Sequence, residues 1–405
     1  DRKITGGKRR LRGSSMSVSF TLTSQTEISC DVPIDLEKTR QPQYGRYLDE
    51  LEPGQVFEHP RGFTFTTTNM LEFARTFMQA NPLYLNSQYA RELGFPDLLA
   101  SPQMVFNVTL SLGVQNDSEK AIANLGYYQV QFLRPVYPGD TLRAFTKVLE
   151  RKDRGPDKPG ITLIRTVGVN QNDAVVLQYD RKIMVGWRGD RLPTTPAPKV
   201  AVEFPGDRSG LVELPLTGGK VAPGLTGPNT YFEDFAPGDI IVHANGRTIT
   251  EEHMALTYAV GNSHPLHFDR VFSSALSGKM SGEPIVYGGL VFAWLEGLAS
   301  RDVSEHAVWE LGFTEGYHTQ PAFAGDTIGA LSRILAVEDI PGVAAYGLVT
   351  LQLIGVKNIP AAEALKKHGA DLFLKEDAKR TLGKEKITDK IFEIERRLLV
   401  MRRSC

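Results

Sequence analysis

The stretch GNSHPLHFD, beginning at Gly261, sets His264 and His267 three residues apart around Pro265, and YGGLVF, beginning at Tyr287, sets Gly288 and Gly289 ahead of an apolar run. An imidazole with a reference pKa of about 6.5 exchanges a proton at neutral pH. Paired glycines at a helix start offer two unencumbered backbone N–H groups, and the helix dipole adds to their pull on negative charge. Such donors suit an oxyanion that develops during reaction. Asn262 stands five residues before His267; its amide can orient a water but cannot accept a proton at neutral pH. One task unites these groups: stabilising an enolate-like oxygen while a proton moves beside it.

The elements that must position them come in two copies. Tyr47 matches Tyr231, Pro53 and Gly54 match Pro237 and Gly238, and His59, Thr64, Thr66 and Met70 match His243, Thr248, Thr250 and Met254, all at an offset of 184 residues. Further along, RPVYPGDT at Arg134 matches QPAFAGDT at Gln320, and Val105 and Phe106 match Val291 and Phe292, at an offset of 186. Preserved order and spacing mark a duplicated domain.

In each copy a threonine, Thr66 or Thr250, is placed to cap a helix such as EEHMALTYAV. A more apolar helix follows, expected over Pro102 to Gln115 and Gly289 to Val303, and its few charges predict burial. Strand-like runs come next, AIANLGYYQVQFL, DTLRAFTKVLE, ITLIRTVGV and VVLQYDRKIMV in the first copy, with RGPDKPG and NQND supplying turns. A buried helix followed by an antiparallel meander hides its apolar surface only if the sheet wraps it, an α+β architecture. The expected organisation is an extension over 1–42, a first domain over 43–190, a Pro- and Gly-rich linker over 191–228 and a second domain over 229–403. A charged insertion, about Asn358 to Lys386, precedes the last strand.

The copies differ where the chemistry should be. Aligning Pro82 with Pro265 sets Tyr84 against His267 and Gln79 against Asn262, so the first copy lacks the histidine base. Ser101 and Pro102 face Tyr287 and Gly288, and proline has no N–H to give. A turn histidine is commonly a cap, and Gly-Gly is commonly a bend. A turn needed only for folding, however, would be needed in both copies, so the joint loss favours catalysis by Asn262, His267, Gly288 and Gly289. The proton carrier and the N–H pair describe a hydratase site: water added to, or removed from, the double bond beside a thioester.

His264, Tyr287 and His318 border the same expected cleft and are substrate-binding candidates, although His264 also reads as a solvated turn residue and His318, opposite Phe132, as packing. His59 and His243 occur in both copies, which favours a shared structural role. Glu283 and Glu296 are nearby acids; Arg134 and Arg247 are candidates for a substrate carboxylate or carrier phosphates.

Bulk composition limits the alternatives. The chain has 405 residues, 41% hydrophobic and 23% charged, enough for two ordinary cores. A formal charge of −1 argues against a nucleic-acid binder, since the basic residues Lys8, Arg9, Arg10 and Arg12 are confined to the N-terminal tail. Two peripheral cysteines, Cys30 and Cys405, are too few for a disulfide scaffold or zinc site, so no metal is expected. No run approaches the roughly 18 apolar residues of a membrane span. The expectation is a cytoplasmic protein with no membrane partner.

GNSHPLHFD, VYGGLVF and QPAFAGDT together resemble the MaoC-type hydratase domain, whose fold is the hot dog, an antiparallel sheet wrapped round a long helix. That family's motif has the form S-G-D-x-N-P-[LI]-H, with Asp and His as its catalytic pair. Gly261, Pro265, Leu266 and His267 stand in register with it; Asn262 replaces the Asp and His264 replaces the Asn. YGRYLDELEPGQVFEHPRGFTFT, NLGYYQVQFLRPVYPGDTL, EEHMALTYAVGNSHPLHF, IVYGGLVFA and LLVMRR are similar, in order, to the mesaconyl-CoA hydratase branch, also called β-methylmalyl-CoA dehydratase, a tandem double hot dog in which asparagine is usual at the position of Asn262. The resemblance implies reversible hydration of a branched dicarboxylic enoyl-CoA without metal or redox cofactor, CoA being part of the substrate. It implies a degenerate first domain that accommodates the carrier, and a homo-oligomer, expected as a dimer. Other readings are a hydratase for another enoyl-CoA, a hot-dog thioesterase and a non-catalytic acyl-CoA binder.

Overall fold

The structure, a computed structural model, describes residues 33–155, 158–188, 202–205, 212–218, 221, 224–276 and 282–403. The linker expected at 191–228 lies largely outside the described residues, as do Cys30, Cys405 and the basic tail. The described residues divide at Gln43 into two units, 33–43 and 44–403. In the first, Asp35 caps a short 3-10 turn, Leu36–Lys38, by accepting the Glu37 N–H. Both copies of the repeat lie within the second.

The first copy contributes β1 (Val56–Glu58), β2 (Phe63–Thr64), α1 (Thr67–Thr76), α2 (Ser87–Glu92), α3 (Pro102–Gly113), β3 (Ala121–Phe132), β4 (Thr141–Lys152), β5 (Gly160–Val169) and β6 (Val175–Val185). The second repeats the order with β7 (Ile240–Thr248), α4 (Glu251–Met254), α5 (Leu256–Ala259), α6 (Arg270–Ser274), α7 (Gly288–Val303), β8 (Ala307–His318), β9 (Thr327–Ile340) and β10 (Val343–Lys357). Its insertion, carrying α8 (Ala361–His368) and α9 (Glu376–Thr381), comes before β11 (Lys390–Met401).

All strands join one antiparallel sheet in the order β1-β4-β5-β6-β3-β8-β11-β10-β9-β7, with β2 on β4. The copies meet where β3 pairs β8, Val130 opposite Phe313 and Tyr127 opposite Gly316. Each half of the sheet covers its own helix. α3, whose sequence PQMVFNVTLSLG has no charge, is buried along almost its whole length, and α7 likewise except near its C-terminus. The two helices pack in one core, where Phe106 of α3 and Phe292 of α7 both meet Phe313 of β8.

Local details depart from the sequence reading. α3 ends at Gly113 and continues as a π-helical turn, Val114–Ser118, where a helix to Gln115 was expected. EEHMALTYAV makes two short helices divided at Ala255. Thr66 does cap α1, its hydroxyl accepting the Asn69 N–H at 3.2 Å. His59 and His243 hold matching places: each ring bonds a β-strand hydroxyl, Thr146 at 2.8 Å and Ser332 at 2.9 Å, and a side chain near its helix end, Asn116 or Asp302.

Candidate active site

The loop that carries His267 is built by its own backbone. Gly261 leaves α5 at φ +88°, a left-handed conformation open to glycine, and the Asn262 N–H then closes on the Thr257 carbonyl at 3.0 Å. The Asn262 Oδ1 accepts the His264 N–H at 2.9 Å, which leaves Nδ2 as the amide's free donor. His264 caps the following 3-10 turn, its Nδ1 accepting the Leu266 N–H at 3.2 Å, and Pro265 starts that turn without a wasted donor. Buried Leu266 anchors it. His267, last in the turn, has its Nδ1 3.0 Å from the Ile285 carbonyl, and only an N–H can satisfy that oxygen. The tautomer is thereby set, with the lone pair on Nε2.

Burial first, then the neighbouring His264, holds the His267 imidazole down at about 3, with the Ile285 carbonyl opposing and His318 adding to the shift. Burial likewise lowers His264 and His318 to about 4. All three rings are neutral at neutral pH. Tyr287, whose ring centre is 5.3 Å from that of His267, is pushed well above the usual phenol range by burial and stays a neutral hydroxyl.

A cavity of about 370 Å³ opens on this loop. Asn262, His264, His267, Tyr287, Gly288 and His318, six of the sequence-derived candidates, line it together. Gly288 begins α7, where first-turn N–H groups have no intrahelical acceptor, and no side chain caps that end. In α3, by contrast, Ser101 accepts the Met104 N–H at 3.3 Å and Pro102 removes a donor. The two glycines are fixed by close approach. A Cβ at Gly288 would lie 2.5 Å from His318 Cε1, and one at Gly289 would lie 1.8 Å from Asn107 Oδ1. Gly289 is not among the cavity-lining residues; its Cα faces α3.

Some sequence expectations are corrected. His264 is not a solvated turn residue: both ring nitrogens are engaged, Nε2 reaching the Ala121 carbonyl of the first copy at 3.2 Å. Its counterpart Asn81 does the same work, capping its own 3-10 turn and bonding the Ala307 carbonyl of the second copy. Glu283 is exposed and paired with Arg270, and Arg134 bonds the Val175 carbonyl. Arg247 lies against His253. None of the three lines the cavity.

Sequence reasoning missed the far wall. It comes from the first copy: Leu110 of α3, Ser118 of the π-helical turn, Asn124 and Tyr127 of β3, and Arg181 of β6. Lys386, at the end of the insertion, stands exposed at the rim. The equivalent space beside Tyr84 is filled instead. There Arg396 of β11 bonds Glu310 at 2.5 Å and Glu296 at 3.0 Å, and Glu296 also bonds Gln79. Burial raises the Glu310 carboxyl to about 7, with Arg396 opposing.

The family model for mesaconyl-CoA hydratase matches residues 30–195. Over 321 residues, 78% of this chain and 89% of the relative, the sequence is 32% identical to the β-methylmalyl-CoA dehydratase of Chloroflexus aurantiacus. The chain belongs to the mesaconyl-CoA hydratase family. Within that family it is also 31% identical to the mesaconyl-CoA hydratase of Cereibacter sphaeroides, covering 78% of this chain and 90% of that one. A solved structure from Chloroflexus aurantiacus, described as a MaoC domain protein dehydratase, superposes with a TM-score of 0.73 at 29% identity, over 90% of this chain and 100% of the other. A double hot dog protein of Mycobacterium tuberculosis, 20% identical, superposes at 0.66 over 88% of this chain and 98% of its own and shares the fold. The tandem hot dog of this mesaconyl-CoA hydratase family member is the architecture its repeat implied.

Proposed function

We propose that the cavity adds water to mesaconyl-CoA to give β-methylmalyl-CoA and catalyses the reverse dehydration. The observation that carries this reading is the convergence of His267, Asn262 and the uncapped start of α7 at Gly288 on one cavity. The thioester oxygen sits at the Gly288 N–H, with Gly289 as the second first-turn donor, so that the enolate forms against the positive end of α7. Asn262 Nδ2 donates to the oxygen of a water, and His267 Nε2 takes the water's proton as its oxygen bonds the β-carbon. The π electrons pass to the α-carbon and thioester carbonyl as an enolate. The imidazolium then returns the proton to the α-carbon, and His267 is neutral again. H and OH have been added without net oxidation, so the step calls for no redox group and no metal, and CoA enters only as part of the substrate.

A free-protein pKa of about 3 makes His267 a weak base before reaction. Negative charge growing on the enolate favours the imidazolium, so basicity rises as the proton is needed. A thioesterase reading is disfavoured because no carboxylate stands among the described residues lining the cavity. Lys386 at the rim suits the phosphates of the carrier. The protein is read further as a cytoplasmic homodimer; a solution mass of two chains supports the dimer and a mass of one contradicts it.

No helix among the described residues is long and apolar enough to cross a membrane. Incubation with mesaconyl-CoA, followed by enoyl-thioester absorbance, tests the activity. Loss of absorbance with no free thiol is expected. Thiol release indicates a thioesterase, and no change indicates a binder; either overturns the proposal.

A further inference from the structure

We infer that Arg181 receives the free carboxylate of a dicarboxylic enoyl-CoA and so selects the substrate, an inference that rests on the hydratase reading above. The cavity's charged walls are both cationic: Lys386 at the rim and Arg181, which is only 4% exposed. Arg181 is poorly satisfied for a buried guanidinium. Its Nη2 donates to Ser118 Oγ at 3.0 Å and reaches Asp117 Oδ1 only at 3.4 Å, while Nε is buried without a hydrogen-bond partner. Asp117 is shared, because its Oδ2 accepts the Thr146 hydroxyl at 3.0 Å and lies 3.5 Å from His59 Nε2. An incompletely paired buried cation is unfavourable unless something else supplies the anion.

The second half holds the equivalent arginine in a different setting. Arg181 stands opposite Tyr127 in the β3–β6 pairing, as Arg396 stands opposite Phe313 in β8–β11, and Tyr127 and Phe313 are equivalent at the offset of 186 (127 + 186 = 313). The two arginines therefore occupy the same place in the two domains. Arg396 is ion-paired with two carboxylates, those of Glu296 and Glu310, although its Nη1 is buried without a hydrogen-bond partner. At the same offset these positions in the first copy are Leu110 (110 + 186 = 296) and Asn124 (124 + 186 = 310), and both line the open cavity. Arg181, which lines the cavity, thus lacks both carboxylates that hold Arg396 and keeps only the longer contact to Asp117. A ligand carboxylate fits the space and the charge, and an Arg fork receives it with two hydrogen bonds.

The test is the ratio of kcat/KM for mesaconyl-CoA to that for crotonyl-CoA, which lacks the second carboxylate. In Arg181→Gln the ratio is expected to fall about 10²- to 10³-fold, the range for losing a buried charge-assisted pair. Asn124→Glu, which copies the internal pairing of Arg396, should lower the same ratio and decides the matter should Arg181→Gln not fold. A ratio that stays within about threefold of wild type in a folded variant overturns the inference and leaves the hydratase reading intact. A wild-type protein that hydrates neither thioester sinks that reading first.

Discussion

His267 is held by one carbonyl and half-buried among neutral rings, so its protonation behaviour is a property of the pocket. The folded pKa of about 3 lies well below the ordinary 6.5, which leaves the free enzyme in the base form throughout the neutral range. The kcat/KM profile, which reports free-enzyme ionisations, should therefore be level through pH 6.5 and bend only at more acid pH. A clear inflection near 6.5 in a stopped-assay profile contradicts the burial argument. At this scale the sequence was informative about His267, Asn262 and Gly288, because the duplicated copy supplied a contrast position by position. Arg181 offered no such contrast, because its second-copy equivalent, Arg396, is also an arginine. Its direction depends on irregular β3–β6 pairing, with register shifts between Asn124 and Gly126 and between Tyr128 and Gln131. The signal was present as two acids, Glu296 and Glu310, opposite Leu110 and Asn124.

At the scale of elements, α7 is positioned by a contact that admits no side chain. A Cβ on Gly297 would lie 1.6 Å from the Phe77 carbonyl oxygen, and the atoms in its way are backbone. Around it the first copy's loop binds the helix through Ala80 N–H to Ser300 Oγ at 2.9 Å and Asn81 to the Ser304 carbonyl at 2.8 Å. Gly297→Ala must push the first copy off α7 and should destabilise by about 1 to 3 kcal/mol or more, the range for overpacking. Chemical denaturation checks this, and an unchanged midpoint refutes it. The helices and strands were legible because α3 and α7 are nearly uncharged and the strands are bounded by turn residues. The π-helical turn at Val114–Ser118, whose Ser118 meets Arg181 across the fold, was not, since it leaves no mark in local periodicity.

Across the whole molecule, one sheet shared by the two copies places the cavity between them, with Asn262 and His267 on one side and a first-copy wall on the other. The arrangement makes the fold acid-sensitive. His264, His267 and His318 sit near 4, 3 and 4 when folded, against about 6.5 unfolded, so below 6.5 the unfolded chain binds protons the folded chain refuses. The share of stability that these three histidines contribute is full above about pH 6.5 and is expected to be lost on descent towards 4, up to about 1.4 kcal/mol per pH unit for each. Thermal midpoints should fall across that window, and His318→Phe, the residue found at the equivalent Phe132, should lessen the slope. The most direct measurement is the hydration rate of mesaconyl-CoA by His267→Ala beside wild type, with folding verified. A rate lower by about 10²- to 10⁴-fold is predicted, the usual worth of general acid–base catalysis. A rate within a few-fold of wild type contradicts the account.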